Sequence, residues 1–214
     1  MVVLGLTGSI GMGKSTAATM LRRLGVPVHD ADAAVHRLLG RNGRAVATVA
    51  AAFPGTAGPA GIDRAALGRR VFGDAAALLR LERILHPLVR ADTARFLRRM
   101  RARREPLVVL DIPLLFETAG EGRCDGIIVV TAPAFLQRAR VLGRPGMSEA
   151  RFAAILAKQM PDREKRRRAD FVVLTGLGRR ETLRRLAEIV RVASAAQPRF
   201  ALRRRRHARD RARH

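Results

Sequence analysis

A doubly wound α/β fold, with a five-stranded parallel sheet and helices on both faces, is predicted by three features of the chain. The first is the apolar run Val2 to Leu6 (VVLGL), which suits a strand buried on both faces. The second is the stretch GSIGMGKS, Gly8 to Ser15, leading into Ser15 to Leu24 (STAATMLRRL), whose apolar positions recur at helical spacing. The third is the return of short apolar runs at Val26 to Asp30 (VPVHD), Leu107 to Ile112 (LVVLDI), Gly126 to Val130 (GIIVV) and Phe171 to Leu174 (FVVL), with helical segments between them. At 214 residues there is enough chain for one such domain with a substantial core and an inserted subdomain.

The element after the first strand carries the chemistry. Gly8, Gly13, Lys14 and Ser15 satisfy G-x-x-x-x-G-K-[ST], in which backbone N–H groups cradle phosphates, the lysine reaches β- and γ-phosphate oxygens and the hydroxyl ligates Mg²⁺. The helix that follows adds its N-terminal dipole to the same anion site. Gly8, Gly11, Met12, Gly13, Lys14, Ser15 and Thr16 are the expected ATP-binding residues, and Gly11 makes a GxxGxGKS loop that resembles those of small-molecule kinases.

At the end of the second strand comes DADAAVH, Asp30 to His36. A carboxylate there can orient an attacking hydroxyl, and Asp32, read as one step into the following loop, is the candidate base; the alternative for either aspartate is a helix cap. From about residue 32 to 104 no convincing strand is found. That interval is rich in alanine, leucine and arginine, is broken at PGTAGPAG (Pro54 to Gly61), and reads as inserted helices that hold a second substrate. It contains LHPLVR, with His86 and Pro87, where the histidine is either a ligand for the acceptor or a hydrogen-bonded structural residue.

The third strand ends in LDIPLLFE, Leu110 to Glu117. Asp111 stands where a carboxylate near Mg²⁺ is expected, and Leu114, Leu115 and Glu117 form a rigid loop toward the cleft. Further on, RARVLGRPGMS, Arg138 to Ser148, puts Arg140 and Arg144 four residues apart, which on a helix means one face and one shared phosphate. Helix, turn and helix over about residues 138–160 read as a mobile lid; ordinary solvated arginines are the alternative.

A formal net charge of +24 raises the question of nucleic acid. All but three of the 42 basic residues are arginines, spread along nearly every helix, so the bias belongs to the whole chain. With aromatic residues at 4% and neither Trp nor Tyr, stacking platforms are scarce, and no specific nucleic-acid partner is expected. Residues 196–214 are denser in arginine and lack apolar periodicity, so they read as a basic, disordered tail beyond a domain of residues 1–195. A single cysteine, Cys124, and the lack of an apolar span or signal-peptide pattern suggest a cytoplasmic protein with no membrane partner, and a monomer is favoured.

Together GxxGxGKST, DAD, HPL, PLLFE, RxxxR and the segment from Lys158 to Asp170 (KQM…RRRAD) resemble the dephospho-coenzyme A kinases, over about Met1 to Ser194. The resemblance implies a P-loop kinase fold and phosphorylation of the ribose 3′-hydroxyl of dephospho-coenzyme A by Mg²⁺-ATP, the last step of coenzyme A synthesis. It implies Asp32 as base, Lys14, Arg140 and Arg144 as further catalytic residues, and His86, Pro87, Leu114, Leu115 and Glu117 beside the acceptor. One departure stands out. Where many members end a strand in Asp-Asn, this chain has Leu174 and Thr175, so an adenine-side contact would fall to Thr175 or to backbone groups. A kinase for another small molecule, or an ATPase acting on nucleic acid, would share the loop but not all six motifs.

Overall fold

The computed structural model describes residues 1–195; the basic tail expected over 196–214 lies outside the described residues. Strand β1 (Val2–Thr7) is buried along its whole length, as a strand covered on both faces must be. The loop after it enters helix α1 (Lys14–Arg23), which turns Ala17, Ala18, Met20 and Leu21 to the core, and β2 (Val28–Asp30) follows.

Residues Asp30–Arg99 form a compact unit of their own. It begins with α2 (Ala31–Leu39), whose N-cap Asp30 accepts a hydrogen bond from the Ala33 N–H at 2.9 Å. Next come α3 (Val46–Ala52), strands β3 (Ala57–Gly58) and β4 (Gly61–Ile62), α4 (Arg64–Val71) and α5 (Ala75–Ala102). The expectation of no strand in this interval is corrected: β3 and β4 pair antiparallel across PGTAGPAG and the Ile62 that follows it, and two-residue strands are too short to show a period of two. Leu39, Val49, Phe53, Leu67, Leu81 and Leu85 are the centre of the unit's own core.

The rest of the chain returns to the first unit. Strands β5 (Leu107–Asp111) and β6 (Gly126–Thr131) flank β1, and helices α6 (Ala134–Leu142), α7 (Glu149–Ala157) and α8 (Asp162–Arg168) precede β7 (Phe171–Leu174) and α9 (Arg179–Ala195). The sheet order is β2-β5-β1-β6-β7, so the expected five-stranded α/β sheet is present. Register fixes what lies beside the loop. Leu6 is opposite Asp111 in the parallel β1–β5 pair, and Thr131 is opposite Leu174 in the β6–β7 pair. The carboxyl ends of β5 and β7 therefore deliver Asp111 and Thr175 to either side of the loop that leaves β1. A core of Leu4, Leu6, Leu21, Val109, Ile128 and Leu186, each at most 1% exposed or fully buried, holds that edge rigid.

Candidate active site

The loop between β1 and α1 has the conformation its glycines permit. Gly11 and Gly13 have φ of 77° and 87°, a region that costs other L-residues about 1–2 kcal/mol. Both are also sites of close approach. A Cβ on Gly11 would lie 2.6 Å from Val141 Cγ2, and one on Gly13 would meet three side-chain atoms of Thr175 at 3.0–3.2 Å. Gly13 is the N-cap of α1 and supplies no side-chain cap, so the first turn of that helix opens on the loop with its N–H groups unsatisfied by a cap. Ser15 and Thr16 are exposed in that turn. Met12 runs the other way: it is buried, and its sulfur accepts a hydrogen bond from the Ala132 N–H at 3.1 Å.

Lys14 Nζ is 2.5 Å from Asp111 Oδ1, with side-chain exposures of 18% for the lysine and 3% for the aspartate. The pair sets the charge of the loop's mouth: an ammonium whose counter-charge is a carboxylate on the neighbouring strand. A hydroxyl on Ser15 and a carboxylate on Asp111 are hard oxygen donors of the kind Mg²⁺ takes. No group of three or more His, Cys, Asp or Glu side chains among the described residues forms a metal cage. Mg²⁺ characteristically takes one or two protein oxygens together with phosphates and water, and the donor chemistry of Ser15 and Asp111 fits that need.

Two glutamines grip the loop from outside. The Ile10 N–H donates to Gln159 Oε1 at 3.1 Å, and the Ile10 carbonyl accepts from Gln137 Nε2 at 2.7 Å. Sequence patterns singled out neither for this role, because the partners are far apart in the chain.

The expected arginine pair is corrected. Helix α6 ends at Leu142 with Gly143 as its C-cap, and Arg144 lies beyond it, exposed. Pro145 disfavours the helical region for the residue before it, so the four-residue spacing does not put both arginines on one helical face. Arg140 is instead held against the loop. Its guanidinium donates to Thr175 Oγ1 at 3.0 Å, to the Thr175 carbonyl at 2.9 Å and to the Gly11 carbonyl at 3.4 Å.

The PLLFE loop divides likewise. Leu114 is exposed, but Leu115 is fully buried, with its Cδ2 only 3.0 Å from where a Cβ on Gly5 would sit. Leu115 is a core residue and not a surface for an acceptor. Glu117 is also turned inward: its Oε1 lies 2.8 Å from Nζ of the fully buried Lys165 and accepts from the Met160 N–H at 2.9 Å. Both were expected beside the acceptor; the turn instead packs Leu115 and Phe116 inward and leaves Leu114, Thr118 and Ala119 exposed, so only part of the loop meets solvent.

Burial pushes the Glu117 carboxyl up, but hydrogen bonds from Lys165, its own N–H and Met160, with the Lys165 charge, outweigh burial and hold it below its ordinary value of 4.5. A depressed carboxylate stabilises the fold above its unfolded pKa and loses that contribution as pH falls through the folded value. Glu117→Gln is therefore expected to cost about 3 kcal/mol at pH 7, by leaving Lys165 buried without its counter-charge. Urea unfolding along a pH series should show this gap closing as pH drops below about 4.5, the ordinary value for the group. A gap that stays constant into acid would remove the ion pair from the account.

In the second unit, Asp32 is exposed in the first turn of α2, not in a loop, because Asp30, two residues earlier, caps the helix. His86 and Pro87 are exposed in the middle of α5, where Pro87 cannot donate to the carbonyl four residues back. Cys124 is buried, as a structural residue is. No described helix is long and apolar enough to cross a membrane.

Comparison with known proteins gives a consistent result. A profile of the family described as "Dephospho-CoA kinase" matches residues 2–178. A dephospho-CoA kinase of Paramagnetospirillum magneticum is 69% identical over 166 residues, covering 78% of each chain. One from Mesorhizobium japonicum is 65% identical over 178 residues, covering 83% of this chain and 89% of its own. Among solved structures, a dephospho-CoA kinase from Campylobacter jejuni superposes with a TM-score of 0.62 at 26% identity, over 90% of this chain and 97% of the other.

Proposed function

We propose a division of labour among the residues of this site, from the premise that the chain belongs to the dephospho-CoA kinase family. The reaction is ATP-dependent phosphorylation of the ribose 3′-hydroxyl of dephospho-coenzyme A, giving coenzyme A and ADP. Lys14 and the amides of the loop from Gly8 to Thr16 hold the β- and γ-phosphates. The observation that carries this assignment is Lys14 itself, the first residue of α1, with its ammonium at the loop's mouth against Asp111. An incoming nucleotide competes for that ammonium, which then passes from one anion to another.

Ser15 and Asp111 are the residues that would hold Mg²⁺, which would supply positive charge against the phosphates of the bound nucleotide. Asp32 orients the acceptor hydroxyl and takes its proton as the bond to phosphorus forms. Arg140 meets the charge spread over the transferring group, with Arg144 contributing from the turn after α6. His86 and Pro87, in an insertion of about residues 32–104, belong to the acceptor's side together with Leu114 from the loop after β5. A lid of about residues 138–160 closes to exclude water, which would otherwise accept the phosphoryl group. The same reading has a cytoplasmic monomer with two small-molecule substrates and a tail over 196–214 that catalysis does not need.

ADP release measured with dephospho-coenzyme A, nucleosides and nucleoside monophosphates as acceptors tests the reading, with EDTA as the metal control. Turnover dependent on dephospho-coenzyme A and abolished by EDTA is expected. Equal turnover with nucleoside monophosphates would assign the acceptor side wrongly.

A further inference from the structure

Thr175, the residue that follows β7, has its polar atoms directed inward. Thr175 is 8% exposed. Its hydroxyl donates its one hydrogen to the Met12 carbonyl at 2.8 Å, with the Thr131 carbonyl more distant at 3.3 Å, and accepts from Arg140. Its N–H donates to the Thr131 carbonyl at 2.8 Å, and its own carbonyl takes the second nitrogen of Arg140. An adenine edge offers both a donor and acceptors, which an amide side chain can match on both counts. A threonine hydroxyl has one hydrogen, and here that hydrogen is already given to the loop.

The other side of the arrangement is Arg140. Two of its nitrogens are fixed on one residue, and the guanidinium keeps further N–H donors for an anion. The residue that fixes it also touches the loop at Met12 and fences the Cα of Gly13. The arginine and the phosphate loop thus share one support.

We propose that Thr175 is a positioning residue for phosphoryl transfer: it sets the Arg140 guanidinium against the phosphate loop and does not read the nucleotide base. The inference rests on the role given to Arg140 above. Because the hydroxyl acts through another side chain, its removal lowers turnover and leaves nucleotide selection alone.

The test compares Thr175→Val, Thr175→Ser, Arg140→Gln and the double variant Arg140→Gln/Thr175→Val. Each is assayed for kcat and KM with ATP and with GTP, after thermal unfolding has established that it folds. Thr175→Val is expected to lower kcat about 10- to 100-fold, the scale of a catalytic group displaced by about 1 Å. The KM for ATP should move less than about threefold, and the ratio of ATP to GTP activity should not change. Thr175→Ser should restore most of kcat, and the double variant should be no slower than Arg140→Gln alone, the mark of two residues acting as one unit. If Thr175→Val does not fold, Thr175→Ala enters the same comparison, since it removes the hydroxyl without pressing a methyl on the Met12 carbonyl.

A selective rise in the KM for ATP with loss of preference over GTP would make Thr175 a base reader and overturn the inference. So would additive effects in the double variant, or a Thr175→Val protein that is less stable yet turns over normally. Near-normal kcat in Arg140→Gln would instead remove the arginine from the reaction, and the reading of the site with it.

Discussion

Lys14→Ala is expected to reduce phosphoryl transfer by on the order of 10³-fold, the upper end of what losing one donor to a transition-state oxyanion costs. The lysine sits at the mouth of a loop whose other anion-binding groups are backbone amides, so it is the loop's one charged side chain. Its removal also takes a cation from Asp111, which is 3% exposed, so the variant should unfold at a lower temperature but still in one cooperative step. The core around β1 is apolar and does not include Lys14. Circular dichroism, a thermal scan and an ADP-release assay on the same preparation separate the two effects. Near-normal turnover in a folded Lys14→Ala protein would sink the assignment of the loop.

The second large effect is expected at Asp32. Asp32→Asn keeps the size of the side chain and removes its charge and its ability to take a proton, so turnover should fall by about 10²- to 10⁴-fold. ATP affinity should be nearly preserved, since the residue is assigned to the acceptor. Loss of stability should be small, because Asp32 is exposed and contributes to α2 chiefly as a negative charge in its first turn, a matter of about 0.3–1 kcal/mol. Isothermal titration with a non-hydrolysable ATP analogue, beside steady-state kinetics, reads both quantities. An equal loss of nucleotide binding would move Asp32 to the metal and leave the acceptor hydroxyl without a base.

These two residues were legible in the sequence for the same reason. Each belongs to a contiguous motif at the end of a strand, and a strand with an apolar run announces where it ends. The phosphate loop, all five strands of the sheet and the aspartate at the end of β5 can be read this way. The supports of the loop cannot, because they are made by residues distant in sequence: Gln137 and Gln159 on Ile10, and Thr175 on Met12. Spacing misled in two places. Arg140 and Arg144 have a helical interval, yet the proline after Arg144 stops the helix short of it. Leu115 and Glu117 lie in a motif with apolar and acidic character, but the turn they form buries the leucine in the core and gives the glutamate to Lys165. Residue type tells what a side chain can do; which way a turn points it depends on packing against the rest of the fold.

The central claim is that the γ-phosphate goes to one hydroxyl of one acceptor. Mass spectrometry of dephospho-coenzyme A after incubation with the protein and Mg-ATP tests this most directly, with phosphorus and proton NMR of the purified product to place the new ester. The account predicts a product heavier by one phosphoryl group, carried on the ribose 3′-oxygen, formed in step with ADP and absent with Lys14→Ala. ADP accumulating while the acceptor keeps its mass, or a phosphate found on another hydroxyl, would contradict it.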